Sequence, residues 1–411
     1  MGRKILIKGD KRKLAQYNRM NVLQVIRKQG PINKAAIAKE IQISIPTVMK
    51  ITDDLIKKGV ICVVGKGASN GGKRPELLAI ADGAYYTIGI DIGRSRTTVV
   101  IMDLKGTVVT QKIMRTDQTN PPTELLRRVV ELACQVISES GIPLSEFLGM
   151  GIVTPGLIEQ ETGKVLYSPD FGWENVDILN EIQKFFDIPV LLDNSNKAVA
   201  MGEKWFGVAK DSDYFVCVNL GHGIGSAIVE NGELYRGNSG SSGEIGHITL
   251  EPDGPFCECG NRGCLEAIAS GKAIAKAGKQ AVLNGESQIM LKMAGYDPAG
   301  IDAKVVFDAA YAGDEAAKQI VCRAEKYIGI SLAGYINLLD PDLLVLAGGL
   351  TNAGNVFIER IKRIAKDRQM KFAGRKVKIC VAELGESAAS IGAASMILKQ
   401  FIEDGEMRSA D

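Results

Sequence analysis

One imidazole and three thiols fall within 18 residues of the sequence, at His247, Cys257, Cys259 and Cys264. This is a closed Cys₃His donor set, the composition of a structural zinc site, whereas a catalytic site usually leaves one ligand position open. The segments EPDGPF and GNRG between the ligands let the loop fold around one ion. Unpaired cysteines in a loop are the alternative, but thiols clustered in a polar loop are better explained as ligands. We therefore expect a structural Zn²⁺ cofactor.

Two glutamates flank this cluster, Glu244 just before His247 and Glu266 just after Cys264. A zinc ion would fix the two carboxylates relative to each other. Carboxylates accept hydrogen bonds from hydroxyl groups, and a neutral polyol needs several such acceptors. A sugar could therefore be held by Glu244, Glu266 and the free ring nitrogen of His247. The alternative is that both glutamates are surface charges beside a zinc loop.

The segment LLDNSNKAVAMGE, residues 191–203, has the pattern of a strand, a polar elbow and the start of a helix. Asp193 is the one carboxylate within the elbow. A catalytic base at this point would indicate an enzyme. Its absence would indicate a sensor that keeps the outline of a catalytic site.

Two glycine-bearing hairpins must position these side chains. YYTIGIDIGRSRTTVV and DYFVCVNLGHGIGSAIV share the plan of strand, glycine turn and strand. An internal repeat at this distance predicts two similar lobes with a cleft between them. Each glycine turn could bring backbone N–H groups close to a phosphate, although any tight turn favours glycine. A third glycine site, Gly348–Gly349, follows the strand LLVLA, and a turn between the lobes contains Thr154, Pro155 and Gly156.

The first 80 residues have a different pattern, with three helical segments in close succession. Asn33 and Ser44 are candidate N-caps of the second and third segments, which a short turn joins. Helix, short turn, helix is the helix-turn-helix pattern, whose second helix enters the DNA major groove by its N-terminal part. Thr47 and Lys50 lie off the apolar stripe of that helix. With Ser44 near its start, we expect them to face DNA.

Two alternating strands follow around the turn GKGASNGGKR, which is the form of a wing. Lys73 and Arg74 at its tip could reach phosphate or the minor groove. Residues 1–80 contain 17 Lys and Arg against 5 Asp and Glu, whereas the rest of the chain contains 33 against 43. A basic head on an acidic body favours DNA binding over the alternative, a small helical interaction module.

Length and composition set the remaining limits. A chain of 411 residues should form two or three domains, and 45% apolar with 24% charged residues is normal for a packed protein. No window has the apolar run that spans a membrane, and the N-terminus lacks the apolar core of a signal peptide. The other five cysteines are scattered, which suits free thiols in a reducing compartment. We therefore expect a cytoplasmic protein without a membrane partner.

The motifs IGIDIG, SPDFGWENV, GHGIG, GEIGH with CECGNRGCLE, and LVLAGG resemble the ROK family (repressor, open reading frame, kinase) in order and spacing. The resemblance covers essentially the whole chain, including the winged head of the family's regulator branch. It implies an α/β fold, a two-lobed actin/hexokinase-like (ribonuclease H-like) body with an N-terminal winged helix-turn-helix domain, and a homodimer or tetramer. We expect the DNA-binding domain at 1–80, the first lobe at 81–196 with a C-terminal helix at about 386–402 packed on it, and the second lobe at 197–385.

The sequence departs from the family's kinases, which carry Glu-Asn-Asp-x-Asn at the elbow and use the Asp as the base. When this motif is aligned with the sequence, Asp193 stands at the position of the family's Glu, Asn194 at that of the Asn, and Ser195 at that of the catalytic Asp. Serine cannot serve as a base near neutral pH without help. Arg94 replaces a glycine of the first phosphate loop, and His222 stands where kinases carry Thr in the second. Compared with the family's kinases, the sequence thus keeps the residues that the resemblance assigns to sugar binding. It changes the catalytic base and part of the ATP-binding loops, which is typical of a sensor.

We therefore predict a sugar-responsive transcriptional regulator that binds double-stranded operator DNA, a repressor of carbohydrate-utilisation genes without kinase activity. The first alternative is an ATP-dependent sugar kinase with a DNA-binding head, in which Asp193 takes the role of the base. The second is a regulator that a partner protein sequesters through the amphipathic segment ESAASIGAASMILKQFI. The effector would be xylose, glucose or a related sugar, bound by Asn194, Glu244, His247, Glu266 and Gly156.

Overall fold

Three helices and a two-stranded sheet form the head of the molecule. The computed structural model describes residues 11–68, 74–371 and 377–404. The side chains of Asn33 and Ser44 accept hydrogen bonds from the N–H groups three residues on, at 2.9 Å and 3.4 Å, so both predicted N-caps are present. The head comprises helices α1 (Lys11–Gln29), α2 (Lys34–Ile41) and α3 (Ile45–Lys57), followed by the antiparallel strands β1 (Ile61–Lys66) and β2 (Glu76–Ile80).

The first large sheet has five strands in the order β10-β6-β3-β4-β5. Strands β3, β4 and β5 pair antiparallel as successive hairpins, whereas β6 and β10 join the sheet parallel. A small three-stranded sheet follows β6 in the order β7-β8-β9. The strands are β3 (Tyr86–Ile92), β4 (Arg96–Asp103), β5 (Val108–Arg115), β6 (Phe147–Thr154), β7 (Leu157–Glu159), β8 (Lys164–Ser168), β9 (Trp173–Asp177) and β10 (Val190–Asn194).

The second large sheet repeats this plan, with the order β13-β12-β11-β14-β15. An antiparallel meander is again extended by two parallel strands on the other side of its first strand. The duplicated sheets, together with the winged head, confirm the predicted fold class. The strands are β11 (Phe215–Leu220), β12 (Ile224–Glu230), β13 (Glu233–Tyr235), β14 (Leu343–Ala347) and β15 (Lys378–Val381).

Within the described residues, ten further α-helices surround and separate the sheets. None of the helices in the described part of the chain has both the length and the apolar character that crossing a membrane requires. The helices are α4 (Pro122–Ser140), α5 (Ile178–Gln183), α6 (Ser195–Phe206), α7 (Leu265–Ala269), α8 (Gly271–Leu283), α9 (Gln288–Met293), α10 (Ala303–Tyr311), α11 (Glu315–Leu339), α12 (Asn355–Arg368) and α13 (Ala388–Asp404).

Helices α6 and α13 lie between the two large sheets. Their small residues share one apolar cluster with strands of both sheets. A Cβ at Gly392 of α13 would lie 1.8 Å from the carbonyl oxygen of Ala198 in α6, and one at Gly89 of β3 would lie 1.9 Å from that of Ser390. Glycine is therefore required where α13 approaches its neighbours. The division into lobes at residues 196 and 197 stays a prediction, and in the structure it falls within α6.

Candidate functional site

The four predicted metal ligands converge although they lie on separate turns of the chain. Their ligand atoms all lie within 4.8 Å of one another. His247 Nδ1 is 3.7 Å from Cys257 Sγ, and Cys259 Sγ is 3.7 Å from Cys264 Sγ. Burial raises the pKa of Cys257 and raises that of Cys264 to about 12. This donor set fits a tetrahedral zinc ion, which would take the place of the thiol protons.

His247 links this cluster to the first predicted sugar ligand. Its Nδ1 faces the thiols, whereas its Nε2 lies 3.9 Å from Glu244 Oε2. Burial raises the pKa of Glu244, and the nearby His247 opposes the rise. A metal on Nδ1 would therefore leave the other ring nitrogen on the side of the Glu244 carboxylate, and the predicted contact of that nitrogen with a sugar stays a prediction.

Glu266 lies in the first turn of α7 and contacts the second glycine hairpin. Its Oε2 accepts a hydrogen bond of 2.8 Å from the backbone N–H of Ile224. Burial raises its pKa, and the Ile224 hydrogen bond and the charge of His247 oppose the rise. One carboxylate oxygen thus fixes the hairpin, and the other is free to accept a bond from a ligand.

Asn194 and Gly156 meet at the end of the first large sheet. Asn194 Nδ2 donates to the carbonyl oxygen of Gly156 at 2.9 Å, and Asn194 Oδ1 caps α6 by accepting from Asn196 N at 2.8 Å. Gly156 has φ of +123°, and a Cβ there would lie 2.5 Å from the carbonyl oxygen of Tyr167. The structure thus forms two groups, Asn194 with Gly156 and Glu244 with His247 and Glu266. Lys197 of α6 is a buried cation close enough to Glu244 to lower its pKa.

Asp193, the one carboxylate of the elbow, is engaged in a buried ion pair. Its side chain is 2% exposed, and Oδ2 accepts from Arg236 Nη2 at 2.7 Å and from Gln160 Nε2 at 2.6 Å. Its two oxygens already accept hydrogen bonds from Arg236, Gln160 and the N–H of Asn194, so their lone pairs are occupied by donors of the protein itself. The contacts therefore favour the role of a flanking carboxylate and disfavour the role of a base.

Ser195, at the predicted base position, contacts a carboxylate that the sequence analysis did not single out. Its Oγ donates to Asp91 Oδ1 at 3.2 Å. Burial raises the pKa of Asp91 to about 6, while the Ser195 hydrogen bond and the charge of Arg96 oppose the rise. A pKa in this range suits a proton acceptor. The signal for Asp91 was its place in IGIDIG, at the end of the first hairpin strand.

The two altered loop residues, Arg94 and His222, lie near each other. Arg94 Nη1 forms an ion pair of 2.9 Å with Asp170 Oδ1, and Gln118 Nε2 donates to the Arg94 carbonyl oxygen at 2.8 Å. Burial lowers the pKa of His222, and the charge of Arg94 lowers it further. The first glycine loop therefore carries a guanidinium group, and its positive charge acts on His222 of the second loop.

A cavity of about 1000 Å³ opens beside the second and third glycine sites. His222 and Gly349 lie in its wall, so the second glycine hairpin and the third glycine site face one space. The wall is basic. Its lysines are Lys272, Lys276, Lys279 and Lys304.

The predicted DNA contacts lie on the exposed start of α3. Ser44 Oγ is 2.8 Å from Thr47 Oγ1, so both hydroxyls already have a partner within the head. Lys50 and Arg74 are exposed, whereas Lys73 lies outside the described residues. The sequence analysis missed Ile45 and Met49, which are 49% and 45% exposed on the same helix. Exposed apolar side chains at this position could contact thymine methyl groups.

Comparisons with known proteins match both parts of the chain. A model of the ROK family matches residues 87–400, and a model of winged helix-turn-helix DNA-binding domains matches residues 16–61. A xylose repressor of Caldicellulosiruptor bescii is 29% identical over 96% of this chain and 98% of its own length. A glucokinase of Thermotoga maritima is 34% identical over 76% of this chain and 98% of its own length. A solved ROK family transcriptional regulator, a homolog of the E. coli MLC protein, superposes with a TM-score of 0.80 at 27% identity over 96% of this chain and 98% of its own.

Proposed function

Because the chain belongs to the ROK family, we propose that it is a sugar-responsive, DNA-binding transcriptional repressor of carbohydrate-utilisation genes that lacks kinase activity. The observation that carries the proposal is the combination of a winged head with Ser195 at the base position of the cleft. The repressor relative extends over 96% of the chain, and the glucokinase over 76%. The glucokinase match thus leaves out 24% of the chain.

Double-stranded operator DNA is the ligand of the head in this proposal. The start of α3 enters the major groove, where Thr47 and Lys50 face the bases or the backbone. Arg74 in the wing reaches the neighbouring phosphates or minor groove. Ser44 contributes by capping α3, since its hydroxyl accepts from Thr47 N. The net positive charge of the head supports this assignment.

A sugar is the ligand of the cleft. The free oxygen of Glu266 and the carboxylate of Glu244 supply acceptors for its hydroxyl groups, and Nε2–H of His247, whose Nδ1 faces the zinc ligands, supplies a donor. In this proposal Asn194 and Gly156, which are hydrogen-bonded to each other, also contact the sugar. Xylose, glucose and related sugars present similar hydroxyl groups, so this set of acceptors does not choose among them.

Zinc has a structural role in this proposal. His247, Cys257, Cys259 and Cys264 would hold the ion through one nitrogen and three sulfur atoms. The bound ion would stabilise the loop that carries His247 and precedes Glu266. It leaves no open ligand position for chemistry on the sugar.

The runner-up function is an ATP-dependent sugar kinase. The neighbouring Asp91 favours it, because a carboxylate with a pKa near 6 could take the proton that Ser195 passes on. Arg94 opposes it, because its side chain stands where a close approach of backbone to phosphate requires glycine. We give the second observation more weight, since positioning of the phosphates is essential to phosphoryl transfer.

The repressor is expected to work as a homodimer or tetramer in the cytoplasm. The test combines a DNA-binding assay with a kinase assay. Purified protein should retard fragments selected from genomic DNA, and one of D-xylose, D-glucose, N-acetyl-D-glucosamine or their phosphates should change that affinity. ATP-dependent phosphorylation of these sugars should be at background in the wild type. Appreciable turnover would overturn the assignment, and Ser195→Asp serves as the comparison variant.

A further inference from the structure

Helix α6 has the cleft at one end and the head at the other. At its start, Asn194 donates to Gly156 of the proposed sugar site, and Ser195 donates to Asp91 at the end of β3. At its end, Trp205 and Phe206 lie against α1 of the head. The 12 residues of α6 cover about 18 Å at the usual rise per residue. One rigid element therefore connects the two places that a sensor must couple.

Arg27 of α1 is held by the end of α6. Its guanidinium carbon lies 4.7 Å from the ring centroids of both Trp205 and Phe206. Burial lowers its pKa to about 10, and its Nε has no hydrogen-bond partner among the described residues. Two aromatic faces are thus the main compensation for burying this cation. Displacing either ring would change the position at which Arg27 is stable.

The neighbouring Lys28 contacts the segment that leads from α6 into the second large sheet. Its Nζ donates to the carbonyl oxygen of Lys210 at 2.8 Å and lies 3.2 Å from Asp211 Oδ1. Adjacent residues of α1 therefore contact the helix between the sheets and the entry to the second sheet. A change in the angle between the sheets would act on both contacts.

The head and α6 also share an apolar core. Val22 and Ile26 of α1 belong to one buried cluster with Met201 and Trp205 of α6 and Phe401 of α13. Packed interiors transmit displacement because they contain little free space. The head is therefore not suspended on a loose linker, and α6 cannot shift without moving or unpacking α1.

We propose that α6 is the lever that couples the sugar cleft to the DNA-binding head, with Arg27 as the positioning residue through which it acts on α1. This inference rests on the proposed function. A sugar that engages Asn194 and closes the cleft shifts α6, and the two rings carry Arg27 and α1 with them. In a two-fold assembly this changes the spacing of the recognition helices.

The test separates coupling from binding. Arg27→Met keeps the apolar stem and removes the cation, Arg27→Lys keeps a cation, and Arg127→Met on the exposed face of α4 is the matched control. DNA affinity is measured with and without D-xylose, D-glucose and N-acetyl-D-glucosamine. In the wild type we expect sugar to change the DNA affinity by about 10-fold, which is in the range usual for such coupling. In Arg27→Met this change should fall below about 2-fold. Sugar affinity, measured by calorimetry, should stay within about 3-fold of the wild type, and Arg27→Lys should recover part of the coupling.

A wild-type response in Arg27→Met would overturn the proposal. If that variant does not fold, Phe206→Leu makes the same test, because it removes one ring from the guanidinium. Hydrogen exchange provides a readout that needs no sugar. DNA binding should alter exchange in the peptide covering 190–200 of the wild type and leave it unaltered in Arg27→Met. An equal change in both would overturn the lever, whereas a wild-type change without any sugar effect on DNA would overturn only the effector part of the proposed function.

Discussion

The hydroxyl of Ser195 donates a hydrogen bond of 3.2 Å to the carboxylate of Asp91. The contact joins the elbow that precedes α6 to the first glycine hairpin, across 104 residues of sequence. It places a carboxylate of raised pKa directly beside the position where the family's kinases carry their base. Asp91 is therefore a carboxylate within hydrogen-bonding reach of the predicted base position, and its protonation can be measured.

Asp91→Asn should stabilise the protein in a pH-dependent way. The folded pKa of about 6 exceeds the ordinary value of 3.8, so the folded wild type loses stability as pH rises through this window. Asparagine does not ionise. The free energy of unfolding of Asp91→Asn minus that of the wild type should therefore grow between pH 4 and 7 and then level off. We expect a plateau of about 1–2 kcal/mol, because Asp91 is partly exposed to solvent.

Urea unfolding at five pH values between 4 and 8 measures this difference. Asp187→Asn, at an exposed position, is the control and should give a difference that does not vary with pH in the same range. A pH-independent effect of Asp91→Asn would show that burial does not raise this pKa.

Removal of one zinc ligand should cost both metal and stability. Cys257→Ser should bind far less than one zinc per chain by elemental analysis, because the serine hydroxyl does not replace a thiolate. Loss of an ion present at 100–1000 times its Kd lowers the free energy of unfolding by about 3–4 kcal/mol. Cys134→Ser removes an exposed thiol of α4 and is the control. Equal zinc content in the two variants would contradict the assignment of ligands.

The features that sequence patterns predicted well are local. The two N-caps, the helix-turn-helix and the cysteine cluster each depend on residues fewer than 25 positions apart, so spacing alone places them. The glycine hairpins were predictable because the same order of strand, glycine turn and strand occurs twice in the sequence. These patterns reflect hydrogen-bonding and helical periodicity, which the neighbouring sequence largely determines.

The contacts that sequence patterns did not predict are distant in the chain. Arg236 meets Asp193 from 43 residues away, and Arg94 meets Asp170 from 76. Many arginines could pair with each carboxylate, and only the packing of the sheets selects one. Likewise, the sequence pattern of the head did not indicate that the side chain of Arg27 would pack against Trp205 of α6.

The pair of Asp193 and Arg236 should behave as a structural unit. Asp193→Asn leaves a partly buried guanidinium without its counter-ion and should lower the free energy of unfolding by about 2–3 kcal/mol. Arg236→Met should have a comparable cost, because it leaves Asp193 buried and charged. The double variant should be more stable than the sum of the single losses predicts. Strict additivity in urea unfolding would mean that the pair contributes no coupling energy.

The head should lose affinity for DNA when single cations are removed from its exposed face. Lys50→Ala should weaken binding and reduce the slope of log affinity against log salt by about 1 if Lys50 contacts a phosphate. Lys57→Ala, at the other end of α3, is the matched control and should leave the slope unchanged. Fluorescence anisotropy at several salt concentrations measures both. Identical slopes for the wild type, Lys50→Ala and Lys57→Ala would show that Lys50 does not contact a DNA phosphate.

The two glutamates of the cleft should differ in what they support. Each contributes charge-assisted hydrogen bonds to a sugar, so Glu244→Ala and Glu266→Ala should both lower sugar affinity by about 10–100-fold. Glu266 alone also accepts from the N–H of Ile224, a residue that is 3% exposed. Its removal leaves that donor without a partner and should cost a further 1–3 kcal/mol of stability, on the order of one lost buried hydrogen bond. Calorimetry with D-xylose, D-glucose and N-acetyl-D-glucosamine, paired with urea unfolding, separates the two effects. Equal stability losses in the two variants would mean that the Glu266 contact does not hold the hairpin, and unchanged affinities would place the sugar elsewhere.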